Sequence, residues 1–169
     1  NILTLVGWGR GRSKYLTLPS DNFSKEANWF NIDSALEKSL GESALPDFKN
    51  SCIVVEGIFD ALMLDYLGLP AIATMGSNVS HFKGELLGIF DKVLCIPDND
   101  RIGQKAVFEW KVPLYSKFLY FKPKRVDLGG NYKYVKDIDD IVNFYDEDTV
   151  RSLLSYYLHK GGRVSHIDI

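Results

Sequence analysis

Short β-branched runs alternate with stretches of helical spacing through the middle of the chain. Residues 53–55 are one such run, ending at Glu56, and residues 58–67 follow with apolar positions at helical intervals. Residues 71–74 and 93–96 repeat the strand-like pattern, each followed by a helical stretch, at 81–90 and 103–115, the latter interrupted or restarted at Pro113. Residues 119–121 are a fourth strand candidate. Strands that are apolar at every position are buried on both faces, so the pattern predicts an α/β fold with a parallel sheet of about four strands covered by helices. Residues 1–50 read differently, as short extended pieces and one helix at 33–40, joined to the alternating core by a linker at 46–51. A closing helix is expected at 146–158, begun by acids and stopped by Gly161 and Gly162. Residues 163–169 carry no signal. The expected divisions are 1–50, a small N-terminal α+β subdomain, 51–145, the α/β core, and 146–169, a C-terminal helix and tail.

Composition narrows the class. With 169 residues, 46% apolar and 13% aromatic, the chain can bury a real core, and disorder is excluded. No apolar run reaches the roughly 18 residues of a membrane helix, so no membrane partner is expected. The N-terminus has neither a signal-peptide pattern nor an initiator Met, which suggests a fragment of a longer chain. Cys52 and Cys95 lie inside apolar runs without CxxC spacing. They read as buried reduced thiols, and zinc is not expected.

The formal net charge of −2 hides an uneven distribution. Residues 1–14 hold Arg10, Arg12 and Lys14 and no acid, and residues 101–136 hold nine Lys or Arg against Glu109 and Asp127. Such blocks are solvated surface in the plainest reading, or a nucleic-acid footing whose binding falls steeply with salt.

The acids fall where a parallel sheet places its ligands, just beyond the carboxyl ends of the strands. Glu56 and Asp60 follow the first strand, Asp98 and Asp100 the third, and Asp137 and Asp139 the fourth and its basic extension. In extended chain, positions i and i+2 face the same way, so Asp98 and Asp100 are expected to point into one site. Two carboxylates about 4 Å apart repel by about 4 kcal/mol at an effective dielectric of 20. Protonation or a cation must relieve this. Oxygen-only ligands favour Mg²⁺ or Mn²⁺, which keep positions open for phosphate oxygens.

These motifs resemble the TOPRIM domain, and in particular the catalytic core of DnaG-type bacterial or phage DNA primases. VVEGIFDAL (54–62) resembles the glutamate motif, IPDNDRIGQKA (96–106) the Asp-x-Asp motif, and Lys136–Asp137–Ile138–Asp139 the Lys-Asp-x-Asp/Asn element. Residues 73–77 (ATMGS) resemble the Ala-Thr-Leu-Gly-Thr stretch, and Lys14–Tyr15–Leu16 the Lys-Tyr-Leu-Asn element. Ile102 stands where the family commonly has Ala, and residues 122–134 are longer and more basic than a minimal connection, as a hairpin would be.

The resemblance implies that the small N-terminal subdomain is basic. It implies RNA primer synthesis on a single-stranded DNA template from ribonucleoside triphosphates, with an RNA primer–DNA hybrid as product. It implies Glu56, Asp98 and Asp100 as catalytic residues and metal ligands, and Asp60, Asp137 and Asp139 as support for a second metal position. Arg10, Arg12, Lys14 and Lys136 would contact nucleotide or template phosphates. A replicative helicase in cis or trans and a cytoplasmic, nucleoid-associated setting in a bacterial or phage-infected cell are implied too, without the family's zinc-binding module. A TOPRIM metal-dependent nuclease and a non-catalytic DNA- or helicase-binding scaffold are the alternatives. His81 is expected at a helix start, His159 and His166 in solvent, Trp29–Phe30 in the core of the N-terminal subdomain, and Tyr156–Tyr157 in helix packing. Trp8 beside Arg10 is left open between core and single-strand binding.

Overall fold

The structure, a computed structural model, describes residues 27–76, 78–121 and 137–167, together with the backbone of four three-residue strands: β1 (Val6–Trp8), β2 (Tyr15–Thr17), β7 (Arg125–Asp127) and β8 (Tyr132–Tyr134). β1 pairs antiparallel with β2, and β7 with β8, so the basic tract does contain the expected hairpin.

The main sheet has five strands. Its strands are β3 (Ser51–Val55), β4 (Ala71–Ala73), β5 (Lys92–Ile96), β6 (Lys117–Phe121) and β9 (Val164–Ile167). They run in the order β4-β3-β5-β6-β9, and all pair in parallel. The expectation of about four strands is therefore short by one. The fifth strand comes from the tail, where Val164 is half exposed and Ser165 and His166 are polar, so no apolar run marked it. It forms because β6 offers a free edge. His166, expected in solvent, keeps its exposure there but stacks on Tyr120 with ring centroids 5.6 Å apart.

The period-two alternation of each strand divides the core into two layers. Ile53, Val55, Leu94, Ile96, Leu119 and Phe121 face α2 (Ile58–Tyr66), α5 (Ile138–Phe144) and α6 (Glu147–His159). Cys52, Val54, Val93, Cys95 and Phe118 face the other way, toward Trp29, Leu87, Phe90, Trp110 and Ala35 of α1 (Ile32–Leu40). Both thiols are free, and burial pushes both up, which keeps them protonated.

Local signals set the helix bounds. Asp146 caps α6 by accepting from the Thr149 N–H. Ser80 caps α3 (His81–Glu85) in the same way through the Lys83 N–H, and a 3₁₀ turn, Leu86–Ile89, completes that segment. α4 (Arg101–Glu109) stops short of the expected helix to Tyr115: the chain leaves the helix before Pro113, and a turn closed by the Ser116 N–H on the Pro113 carbonyl carries it into β6. α5 was not anticipated. At seven residues it is too short to show a full apolar period.

Consecutive strands β3 and β4 are neighbours, and β5 then returns on the opposite side of β3. The connections diverge between β3 and β5, and the carboxyl ends of strands at such a point are where open parallel sheets usually place a ligand crevice. Leu94 of β5 is 1% exposed at the sheet centre, whereas Leu114 is 84% exposed. Leu94→Ala is expected to lower unfolding free energy by about 2–5 kcal/mol and Leu114→Ala by under about 0.5 kcal/mol. Urea denaturation of the two variants checks the contrast.

Candidate functional site

Glu56 is the first residue after β3, and Asp98 is the second after β5, with buried Pro97 between. The Asp98 N–H donates to Glu56 Oε1 across 3.4 Å, so the two strand exits meet at the divergence point. Asp100 does not continue an extended strand, as the i, i+2 argument expected. The chain bends at Asn99–Asp100, and Asp100 Oδ1 accepts the N–H groups of Ile102 and Gly103, each at 2.8 Å. Its carboxylate thereby holds the start of α4. No side chain is tolerated at Gly103, since a Cβ there would lie 2.1 Å from the Asp98 carbonyl oxygen. The glycine lets α4 start against the backbone of the acidic loop.

The second acidic group is built on α5. Asp137 caps this helix by accepting from the Asp140 N–H. Asp137, Asp139 and Asp140 place one carboxylate oxygen each within 4.8 Å of one another. Among the described residues this is the one such trio of potential ligands, and Glu56, Asp98 and Asp100 do not form another. Asp140, 3% exposed, was not singled out in the sequence. The signal was available, because Asp137–Ile138–Asp139–Asp140 puts three acids within the first turn of a helix.

Asp60 joins the two groups. It lies in the first turn of α2, is 8% exposed, and its Oδ1 accepts the Asp139 N–H at 3.2 Å. Burial first, then the charges of Asp137 and Asp98, push its carboxyl up to about 7, with the Asp139 N–H opposing the shift. An acid that senses both Asp98 and Asp137 lies electrostatically between them.

Every candidate donor is a carboxylate oxygen, and the buried Asp60 carboxyl holds its proton against neighbouring negative charge. A hard divalent cation fits this donor set and would relieve that repulsion. Arg10, Arg12, Lys14 and Lys136 lie outside the described residues, and of Trp8 only the backbone is described. His81 begins α3, Trp29 is buried at 5% exposure, and Tyr156 packs edge-on against Tyr157.

The Asp60 shift has a definite sign. Below about pH 4 the carboxyl is protonated in both folded and unfolded chains. Between about pH 4 and 7 only the folded chain keeps the proton, so stability falls as pH rises, by up to about 4 kcal/mol in metal-free protein. Above that window the loss is complete. Asp60→Asn retains an acceptor for the Asp139 N–H and removes the charge. It is expected to flatten this fall, leaving the variant more stable than wild type at pH 8 and little changed at pH 4. Urea unfolding in EDTA across that range checks it, and superimposable pH profiles would contradict the assignment.

No helix among the described residues is long and apolar enough to cross a membrane. No curated protein matches the sequence. Among solved structures, the chain is similar to a DnaG catalytic core, at 20% identity and a TM-score of 0.67 over 93% of this chain and 49% of that one. It is similar to the Aquifex aeolicus primase (zinc-binding and RNA polymerase domains) at 25% identity, with a TM-score of 0.66, over 90% of this chain and 36% of that one. A DnaG primase catalytic domain bound to single-stranded DNA matches at 20% identity and a TM-score of 0.63, over 89% of this chain and 47% of that one. The chain thus spans about half or less of each relative's length. The family model described as Toprim-like matches residues 53–142, from β3 through most of α5, and the chain belongs to that family.

Proposed function

We propose that this chain is the catalytic part of a DnaG-type primase, carrying out metal-dependent nucleotidyl transfer to make short RNA primers on single-stranded DNA. The observation that supports this most strongly is the convergence of Glu56 and Asp98 at the divergence point of the sheet, with Asp60 between Asp98 and the acids of α5. The match to a primase domain bound to single-stranded DNA supports the choice of template.

In this reading Asp98 and Asp100 are metal ligands, with Glu56 beside them, and Asp60, Asp137 and Asp139 serve a second position. When bound, Mg²⁺ or Mn²⁺ supplies charge neutralisation of the triphosphate. The protein's own groups do the rest. Glu56 sits half-buried at the strand exit and takes the proton of the attacking primer 3′-hydroxyl as the new bond to the α-phosphate forms and pyrophosphate leaves. Asp100, tied to α4, holds the loop in register. Arg10, Arg12, Lys14 and Lys136 bind template and nucleotide phosphates. Residues 1–50 contribute the partial basic subdomain, 51–145 the Toprim domain, and 146–169 the closing helix and tail. A helicase in cis or trans, and a cytoplasmic site of action at the nucleoid, belong to the same reading.

Asp100→Ala removes a helix cap and is expected to cost about 1 kcal/mol of stability besides any chemistry, so Asp100→Asn is the cleaner change. Asp98→Ala and Asp100→Asn are each expected to reduce ribonucleotide incorporation on single-stranded DNA by more than about 100-fold, with melting temperatures within a few degrees of wild type. Wild-type incorporation in a folded Asp98→Ala protein contradicts the proposal. DNA cleavage in Mn²⁺ without ribonucleotide incorporation by the wild-type protein would assign the site to a nuclease instead.

A further inference from the structure

Lys83 is an unusual residue to find in this core. It is 0% exposed, and its backbone is packed so closely that a Cβ on the next residue, Gly84, would lie 1.6 Å from the Lys111 carbonyl oxygen. Its ammonium lies 4.5 Å from the centre of the Trp29 ring, and the Trp29 indole N–H donates to the Lys83 carbonyl at 3.0 Å. The indole thus grips the lysine at both ends. Packing alone does not explain the ammonium. Burying a charge is costly, and an apolar side chain of similar length would fill the volume without that cost.

The ammonium is directed at the loop beside the acids. Lys83 Nζ donates to the Thr74 carbonyl at 2.7 Å. Thr74 directly follows β4, and its N–H donates to the Val55 carbonyl at 2.9 Å. Its hydroxyl lies against the Gly76 carbonyl and, at 3.4 Å, the Glu56 carbonyl. A chain of contacts therefore runs from Lys83 through Thr74 to the backbone of Glu56. The same loop carries strain, since Met75 holds φ at +60°, a left-handed conformation unfavourable for a side chain. Such conformations persist where surrounding contacts over-determine them, and they cluster at functional sites. Burial pushes the Lys83 ammonium down to about 8, which leaves it largely charged at neutral pH.

We propose that Lys83 is a positioning residue: through the Thr74 carbonyl it clamps the strained 74–76 loop and so fixes the β3 exit that carries Glu56. This rests on the reading of the acidic edge as a divalent-cation site. Lys83 touches neither substrate nor metal in this scheme.

The test compares wild type, Lys83→Met, Lys83→Gln and Thr74→Val by Mn²⁺ titration and by amide hydrogen exchange of the metal-free proteins. Lys83→Met keeps the length and loses the donor. It is expected to melt at or above the wild-type temperature, bind Mn²⁺ about tenfold more weakly, and exchange the Met75 and Gly76 amides at least tenfold faster, with β3 and β5 unchanged. Lys83→Gln restores a neutral donor and is expected to stay within about threefold of wild type on both readouts. Thr74→Val removes the hydroxyl link alone and carries the test should Lys83→Met not fold; about fivefold weaker Mn²⁺ binding is expected. Wild-type Mn²⁺ affinity in a folded Lys83→Met or Thr74→Val overturns the clamp, as does a Lys83→Gln variant as impaired as Lys83→Met. Failure of the wild-type protein to bind Mn²⁺ overturns the cation reading and the clamp together, and so is distinguishable from failure of the clamp alone.

Discussion

The site depends on backbone N–H groups holding carboxylates that would otherwise repel one another. Glu56 accepts from the Asp98 N–H, Asp100 from Ile102 and Gly103, Asp60 from Asp139, and Asp137 from Asp140. Each donor is supplied by a strand exit or the first turn of a helix. There the N–H groups have no partner inside the element and carry the positive end of the peptide dipoles. The parallel sheet makes this possible. It brings β3 and β5 to the same edge, and the helices that follow start where the acids are. Fixed backbone dipoles thus form a buffer that helps to hold the acids in place.

The buffer is incomplete at Asp60. Asp60 accepts one N–H yet is still pushed up to about 7, because burial and the charges of Asp137 and Asp98 outweigh that single bond. The protein folds with one acid of the cluster held near the edge of ionisation. A cation would displace that proton and complete the compensation, so metal binding and proton release are linked at this edge. The cost is paid by the two-layer core, in which both faces of β3 and β5 are buried.

Much of this was legible in the sequence, for identifiable reasons. β3 and β5 are apolar at nearly every position because both their faces are covered, and that is a strong local signal. The strand-exit rule places Glu56 and Asp98 on one edge from sequence alone. β9 was not legible, because Val164, Ser165 and His166 owe their strand to the edge of β6, a contact distant in sequence. Asp100 takes a different geometry from the one its spacing predicts. The i, i+2 rule holds only in extended chain, and the backbone turns at Asn99 to start α4. Lys83 gave no signal, since a lysine in an amphipathic stretch reads as surface, and only the packing of Trp29 and Gly84 shows otherwise.

In the proposed reading, these backbone-held acids form a divalent-cation site between the exits of β3 and β5 and the start of α5. Anomalous diffraction at the manganese edge from crystals grown in Mn²⁺ tests it most directly. At least one manganese peak is expected within coordination distance of Asp98 or of the Asp60–Asp137–Asp139 group. Well-ordered carboxylates at this edge with manganese bound only elsewhere, or nowhere, would contradict it.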